Sequence, residues 1–563
     1  MTIALMHYLK FNMTPPRTSI SALIYILLTF CFVLKGIAQS DSEFLVTDFD
    51  GGGILPSAWQ AYGDLGPYGV QNKKGNSDGK YFELIWNGST TEGYLVSQSD
   101  LTFRLIPKRR LKEKTIDNVY LKMDVNCGGA PGTVINIVLV DGPDDCCTNE
   151  VNWMYQFTKN SCEWETIEIN LGEFGYAYDP NNHEKSIDIN KVGRVKIGID
   201  VFSGPNRKIV QFDNVALVVK EKVNKKKYQA NIDIADNTTL KSEAKDFKVG
   251  VAVNPLRVKD SDYSEVYKRE FNSITAENAM KMKSILKGID TNGELVYDWT
   301  DSDAIVNFAE ANNMNLHGHT LIWHRSVPDF LKSFGGTDQE FEAIIEKYIG
   351  DVMSRYKGKV DSWDVVNEAI DENSIEFRKS IFLERMGSDY VKKCFQYARN
   401  VDNEVKLFYN DYGLVYDIKK QQGTFQMIDQ LIASNLIDGV GYQMHIDYGF
   451  PSKRAIKEAT ELSVQRKLLV HFAELDVRTN PKGDIQKSTE QRLQAQGKKV
   501  YEVVSVFNAI PKAYKYALTV WGLKDDDSWV TPEYGFPDWP LLFDSTFQKK
   551  EAYKGFVQAL QQP

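Results

Sequence analysis

The chain has 563 residues, 42% hydrophobic and 25% charged, which exceeds one ordinary domain and is too balanced for a disordered or fibrous protein. At least two folded domains are expected. Its 67 Lys and Arg against 76 Asp and Glu give a formal charge of -9, so there is no net positive field to hold a polyanion and nucleic acid is not expected as a partner. Aromatic residues make up 12% of the chain, and their flat apolar faces with polar tips suit neutral, hydroxyl-bearing ligands as well as large cores.

The first element is an apolar run from Ile20 to Leu34, preceded by Lys10 and Arg17 and followed by the small-residue pattern Gly36-Ile37-Ala38. This reads as a signal peptide over residues 1–38, cut after Ala38, and the expected destination is extracellular or periplasmic. The run is shorter than the roughly 20 residues a spanning helix needs, and no second run follows, so no membrane attachment is expected after cleavage. Met13 is an alternative initiator that leaves a signal of ordinary length. Among the remaining cysteines, Cys127, Cys146, Cys147 and Cys162 cluster while Cys394 stands alone. The cluster can pair in three ways, with a Cys146–Cys147 bond disfavoured by ring strain; metal binding is the alternative use.

From residue 41 to 220 short β-rich runs cut by Gly, Asn and Asp predict an antiparallel, all-β jelly-roll sandwich, with a closing strand around Ile209 to Leu217. Trp59, Tyr62, Trp86, Trp153 and Tyr155 are either a glycan-binding platform or core and loop anchors. Asp48 and Asp50 are candidates for a structural calcium site. Residues 221–231 carry a Lys-rich solvated connector.

Beyond it, residues 232–563 alternate apolar strands with amphipathic helices, one of which turns Phe341, Ile344, Ile345 and Tyr348 to one face. Eight strands are expected: Phe247 to Val253, Asn272 to Thr275, Asn315 to Ile322, Ser362 to Val366, Lys406 to Tyr409, Gly439 to His445, Leu468 to Leu475, and Ala517 to Trp521. Eight is the number that closes a (β/α)8 TIM barrel, an α/β architecture, and polar residues cluster at the C-terminal strand ends where barrel enzymes build their sites. Those residues are Glu277, His319, Glu368, Asn410, His445 and Glu474. An open doubly wound sheet is the competing architecture.

Trp363-Asp364-Val365-Val366-Asn367-Glu368 delivers a carboxyl to the mouth at the end of the fourth strand, and the run through Ala473-Glu474-Leu475-Asp476 delivers another from the seventh. Two carboxyls facing one another suit glycosidic cleavage, in which one donates a proton to the leaving oxygen and the other attacks or activates water. Asn367-Glu368 and Glu474-Leu475-Asp476 resemble the catalytic elements of glycoside hydrolase family 10, the endo-β-1,4-xylanases. Five further blocks agree in order: Phe271 to Lys281, Gly318 to His324, Asn410-Asp411-Tyr412, Gln443-Met444-His445, and Thr519 to Gly522 with Asp527-Ser528-Trp529.

The resemblance implies that Glu368 is the general acid and base, in surroundings that favour its protonated form, and that Glu474 is the nucleophile. It implies that His445 bridges Glu474 and Asp476, and strand alternation puts those two acids on one face. Asn367 is implied to bond the sugar 2-hydroxyl, and Glu277, Asn278, Lys281, His319 and Gln443 other hydroxyls. Trp323, Trp521 and Trp529 offer stacking faces, and Tyr412 follows the fifth strand. The implied partners are xylan and xylo-oligosaccharides, hydrolysed by an exported monomer with retention of configuration and with no metal or cofactor. Ala473, His471, Gly413 and Arg325 depart from the family pattern, the last two on the leaving-group side. The rivals are a related β-glucanase, a non-catalytic polysaccharide-binding barrel, and a metal-dependent hydrolase using His317, His319, His445, His471 and Asp525.

Overall fold

Residues 228–562 are described without interruption in the computed structural model of the protein, together with 42–47, 59–63, 65–71, 81–86, 93–97, 118–141, 151–159, 162–176, 192–199 and 207–220. The signal-peptide segment, Asp48, Asp50, Cys146, Cys147 and residues 221–227 of the connector lie outside the described residues.

Alternation builds the N-terminal strands: Val119–Asn126 buries Val119, Leu121, Met123 and Val125. One antiparallel sheet contains Ser42–Thr47, Leu65–Gln71, Tyr81–Trp86, Val119–Asn126, Glu165–Asn170 and Lys208–Val219. A second contains Trp59–Gly63, Gly93–Ser97, Thr133–Asp141, Val151–Lys159, Gly175–Tyr176 and Val192–Ile199. Leu121, Val125 and Phe212 of the first sheet pack with Ile135, Ile137, Leu139 and Ile197 of the second in one core. Lys208–Val219, the expected last strand, lies centrally between Tyr81–Trp86 and Val119–Asn126. Trp153 is 3% exposed within that core, so it is an anchor of the sandwich and not a platform residue. Tyr155 packs on Phe157 and Phe174. Cys127 and Cys162 form a disulfide beside the paired strands Val119–Asn126 and Glu165–Asn170.

The second half is a closed parallel barrel. Its strands are β1 (Lys248–Val253), β2 (Ser273–Ala276), β3 (Asn315–Gly318), β4 (Ser362–Asn367), β5 (Lys406–Asp411), β6 (Gly439–Asp447), β7 (Leu469–Arg478) and β8 (Lys515–Val520). Each neighbours the next in parallel, β8 returns to β1, and β3 joins β4 through His317 opposite Ser362. Closure rules out the open sheet. The expected third strand is split into Asn315–Gly318 and a short Ile322–Trp323 strand. Both pieces pair in parallel with β4, and between them Leu321 N and Thr320 Oγ1 donate to the Asp364 carbonyl at 3.0 and 2.9 Å, in place of regular pairing.

Helices cover the barrel. Asp338–Arg355 starts with a capping box between Thr337 and Glu340 and buries Phe341, Ile345, Tyr348, Ile349 and Val352, with Ile344 at the edge of that face. Tyr228, Gln229 and Asn231, at the end of the charged connector, already bond Glu551 and Gln558 of the last helix. No helix among the described residues is long and apolar enough to cross a membrane.

Candidate active site

The polar residues gathered at the C-terminal mouth come from strands whose interiors are apolar, so each side chain is aimed by a buried strand. β5 and β6 stand between β4, which ends at Glu368, and β7, which carries Glu474. They fill the gap with amides. Asn410 Nδ2, from β5, donates to Glu474 Oε1 at 2.7 Å and to Asn367 Oδ1 at 3.0 Å. Gln443 Nε2, from β6, donates to Asn367 Oδ1 at 3.1 Å and to Glu368 Oε1 at 3.2 Å. The two carboxyl groups are thus linked through three neutral side chains. Gly441 makes room for this bridge, since a Cβ there would lie 2.3 Å from Asn410 Oδ1.

Local backbone geometry aims both carboxyls. Between Gln443–Ala473 and His445–Asp476 the register gains one residue on β7, a bulge centred on Glu474, whose φ is 60°. Glu368 has φ 57° immediately after β4. Left-handed backbone at a non-glycine residue is unfavourable and is typical of functional sites. Simple alternation therefore does not describe β7: Glu474, inside the bulge, and Asp476, where pairing resumes, meet the same imidazole.

The two carboxyls have different partners. His445 Nε2 lies 3.0 Å from Glu474 Oε2 and Nδ1 lies 2.8 Å from Asp476 Oδ2, which also accepts the Trp529 indole N–H at 2.8 Å. Burial alone would lower the His445 pKa, but the charges and hydrogen bonds of Asp476 and Glu474 outweigh it and raise it to about 10. The ring is an imidazolium at neutral pH and donates from both nitrogens. Burial pushes Glu474 upward, yet the bond from His445, the charges of His319 and His445, and Asn410 hold it below its ordinary value. Glu368, in contrast, is bonded by neutral donors: Trp323 Nε1 at 2.8 Å, Gln443 and, at 3.4 Å, Asn367.

Around this centre, Lys281 donates to Asn278 Oδ1 at 2.9 Å and stands 4.6 Å from the centre of the Trp323 ring. Burial lowers the Lys281 pKa against the opposing pull of Glu474, Glu277 and Glu368, while burial raises that of Glu277. His319 packs edge-on against Trp521 and bonds Asp364 through Nδ1 at 2.8 Å. Trp521 and Trp529 both pack against His445. Tyr412 is set apart from the bridge: its hydroxyl pairs with Glu372 and Arg378, and Lys420 lies under its ring. The structure thus brings Glu277, Asn278, Lys281, His319, Trp323, Asn367, Glu368, Gln443, His445, Glu474, Asp476, Trp521 and Trp529 to one mouth, with Tyr412 beside it.

Sequence reasoning left out Asn410 as a bridging residue, although its position at a strand end was noticed. It also left out His324, which burial lowers to about 4 and which feels the charges of Glu368 and Arg378. The neutral tip of an asparagine before Asp411-Tyr412 is the available signal for the first; the second closes the block Gly318 to His324, which marks its place but not its role. Of the departures, His471 bonds Thr519 Oγ1 at 2.8 Å inside the barrel, Ala473 is buried, and Arg325 is exposed near Trp323. Gly413 adopts φ 80°.

The histidines of the metal-dependent rival are engaged elsewhere. His317 and His319 both turn to Asp364, and Asp525 pairs with Lys550 at 2.9 Å. Among the described residues no group of three or more His, Cys, Asp or Glu is arranged to hold a metal ion.

A closed parallel barrel with one carboxyl among neutral donors and a second beside an imidazolium defines the class of a glycoside hydrolase. The sequence model of glycosyl hydrolase family 10 matches residues 239–559, more than half of the chain. The chain belongs to that family. It is 37% identical over 329 residues to endo-1,4-beta-xylanase A of Thermotoga maritima, covering 56% of this chain and 30% of that protein. It is 36% identical over 363 residues to endo-beta-1,4-xylanase Xyn10C of Cellvibrio japonicus, covering 59% and 58%. The chain therefore spans between about a third and three-fifths of these curated relatives. Among solved structures, xylanase 10B from Thermotoga petrophila in complex with xylobiose matches with a TM-score of 0.54 and 31% identity, over 58% of this chain and 99% of that one. A mutant of xylanase 10C from Cellvibrio japonicus in complex with xylopentaose matches with a TM-score of 0.55 and 28% identity, over 89% of this chain and 97% of that one.

Proposed function

We propose that the protein is an exported, retaining endo-β-1,4-xylanase that hydrolyses internal bonds of xylan by double displacement. The observation that carries this reading is the unequal environment of the two carboxyls. Glu474, held ionised by the His445 imidazolium, attacks the anomeric carbon. Glu368, bonded by neutral groups, protonates the departing oxygen and then deprotonates the water that releases the glycosyl group. Asn367 meets the 2-hydroxyl of the sugar at which charge develops, and Lys281, Asn278, Glu277, His319 and Gln443 bond other hydroxyls. Trp323, Trp521, Trp529 and Tyr412 supply ring faces. The names of the relatives support xylan as the substrate.

The Cys127–Cys162 disulfide fits an oxidising compartment and supports export. The proposed enzyme works as a monomer without a metal or other cofactor, so activity is expected to be insensitive to chelators. The likeness to the Cellvibrio xylanase over 89% of the chain reaches past the barrel, and we propose the sandwich as a glycan-binding module from its company with a polysaccharide hydrolase. Retention of residues 40–220 on insoluble xylan tests that part; passage without delay refutes it.

The decisive experiment is azide rescue. Glu474→Ala with azide should give an α-glycosyl azide, and Glu368→Ala the β product from substrates with good leaving groups. Reversed stereochemistry would overturn the assignment. Parallel assays on xylan and cellulose separate the proposed substrate from β-glucan.

A further inference from the structure

Alternation along β5 divides its C-terminal end between two directions. Asn410 turns into the mouth, where it bonds Glu474 and Asn367, while Tyr409 and Asp411 turn the other way, toward the surrounding helices. Both are fully buried, as is Lys420, which comes from the helix Ile418–Ala433. A carboxyl and an ammonium taken out of water together, behind the site already described, lose hydration that a pair of apolar residues would not need, so their retention calls for a reason.

The three side chains form a directional chain that ends on the backbone beside Glu368. Ala369 N donates to the Tyr409 hydroxyl oxygen at 2.9 Å, and Ile370 N approaches the same atom at 3.4 Å. A backbone N–H only donates, so the phenolic hydrogen is directed onward, to Asp411 Oδ2 at 2.5 Å. Asp411 Oδ1 accepts Tyr412 N at 2.9 Å and faces Lys420 Nζ at 2.6 Å, and the same ammonium stands 3.4 Å from the centre of the Tyr412 ring. Burial raises the Asp411 pKa, and the Lys420 charge opposes that rise and favours the ionised acceptor.

The anchored peptide is the one that follows a strained residue. Glu368 has φ 57°, and its own N–H donates to the Asn410 carbonyl at 3.0 Å. Pairing of β4 with β5 ends there, so the next N–H, that of Ala369, has only the Tyr409 hydroxyl to hold it. The segment beyond is braced from outside: Arg378 N donates to the Ala369 carbonyl at 2.7 Å, and Asn373 N donates to Asp417 at 2.7 Å. The helix that carries Lys420 presses so closely on this segment that a Cβ at Gly423 would lie 2.5 Å from the Ile375 carbonyl oxygen. The backbone after Glu368 and the Lys420 helix therefore form one support.

We propose that Tyr409, Asp411 and Lys420 are positioning residues for the proton donor: through Ala369 N they hold the backbone of Glu368 in its left-handed conformation, so that the carboxyl meets the departing oxygen. The inference rests on the xylanase reading above, in which Glu368 acts as the acid and then as the base. The three residues touch no substrate with the groups that form this chain. Their loss leaves Glu474 and His445 in place and lets the Glu368 carboxyl drift, so the steps that suffer are the two proton transfers.

The test compares Tyr409→Phe with wild type in the full chain on two substrates: xylohexaose, whose leaving group must be protonated, and a dinitrophenyl β-xylobioside, whose leaving group departs as the anion. In the variant, kcat/KM for xylohexaose should fall about tenfold to thirtyfold while kcat/KM for the dinitrophenyl substrate stays within about twofold. For the latter, kcat should fall, because release of the glycosyl group needs Glu368 as the base, and azide, which attacks without a base, should restore it. Equal losses of kcat/KM on both substrates overturn the proposal, since a general disturbance of the barrel does not distinguish leaving groups; so does the absence of any loss. The paired change Asp411→Asn with Lys420→Met removes both charges together, leaving neither buried alone, and should give the same division between substrates; a uniform loss there overturns the part assigned to the ion pair. Each of these results leaves the xylanase reading intact, whereas a wild-type protein inert on every xylan substrate overturns that reading, and the positioning role with it.

Discussion

Between the two sheets of the N-terminal domain the contacts are apolar: Leu121, Val125, Ile137 and Phe212 have no side-chain polar atom to satisfy. Buried polar groups there bond nearby turns and strands, as Asn126 Oδ1 does with Gly128 N and Asp124 with Asn214. At the barrel mouth the opposite holds. Asn367, Glu368, Asn410, Gln443, Glu474 and Asp476 are all buried, and the bonds that Asn410 and Gln443 donate run between different strands. The difference teaches where each half is sensitive. A fault in the sandwich loses stability, whereas a fault in the mouth unbalances charges on which the chemistry depends.

The largest expected effect lies at His445. His445→Ala removes the imidazolium between two carboxylates and should lower kcat by about 10²- to 10³-fold, the range for losing a preorganised donor at a charged centre. The same contact should show in stability. With its folded pKa raised to about 10, His445 contributes fully below its ordinary value near 6.5, and the contribution fades as pH rises through about 10. Glu474, whose pKa is lowered, behaves in the reverse sense: its contribution is present above its ordinary value and is lost as pH falls. Melting temperatures of wild type and His445→Gln should therefore differ at pH 6 and converge toward pH 10. A constant difference across that range would show that the ring is neutral.

On the other side of the comparison, Cys127→Ser with Cys162→Ser opens a cross-link spanning 35 residues. The sandwich should lose about 3 kcal/mol, measured by chemical denaturation, with turnover of an aryl xylobioside at 25 °C unchanged. A matching loss of turnover would mean that the two halves are coupled.

Asn410→Ala sharpens the contrast at smaller scale. It deletes one donor shared by Asn367 and Glu474, and kcat/KM should fall about tenfold to a hundredfold, as expected for a hydrogen bond to a charged group. An unchanged rate would show that the amide bridge is packing and not positioning.

How much of this was legible in the sequence follows the same division. The eight barrel strands could be read because each is an apolar run, and six of them end in a polar residue, which is why Glu368 and Glu474 stand out. The bulge on β7, the break after Gly318 and the bridging of Asn410 could not be read, since each is fixed by a neighbouring strand far away in the chain. Trp153 could have been platform or core from composition alone; only the opposing sheet decides. The cysteines left the pairing open, because the proximity of Cys127 and Cys162 is set by the register of two strands.

The smallest expected effect concerns backbone strain. Nine non-glycine residues among those described have positive φ, and five of them are Asn, including Asn214 in the sandwich, the residue type that tolerates this conformation best. Glu368 and Glu474 are the two carboxylic acids among the nine, both at the mouth, where the side chain required by the chemistry overrides the preference of the backbone. Replacing Glu474 by Gly and by Ala removes the carboxylate equally, so activity cannot distinguish the two variants. Stability can: glycine accepts a φ of 60° without a Cβ clash, while alanine does not. Set against the greater freedom of glycine in the unfolded chain, Glu474→Gly should be more stable than Glu474→Ala by about 1 kcal/mol in urea denaturation. If alanine proves the more stable, the bulge relaxes once the carboxylate is gone, and it is the bonds from His445 and Asn410 that hold the backbone in this conformation.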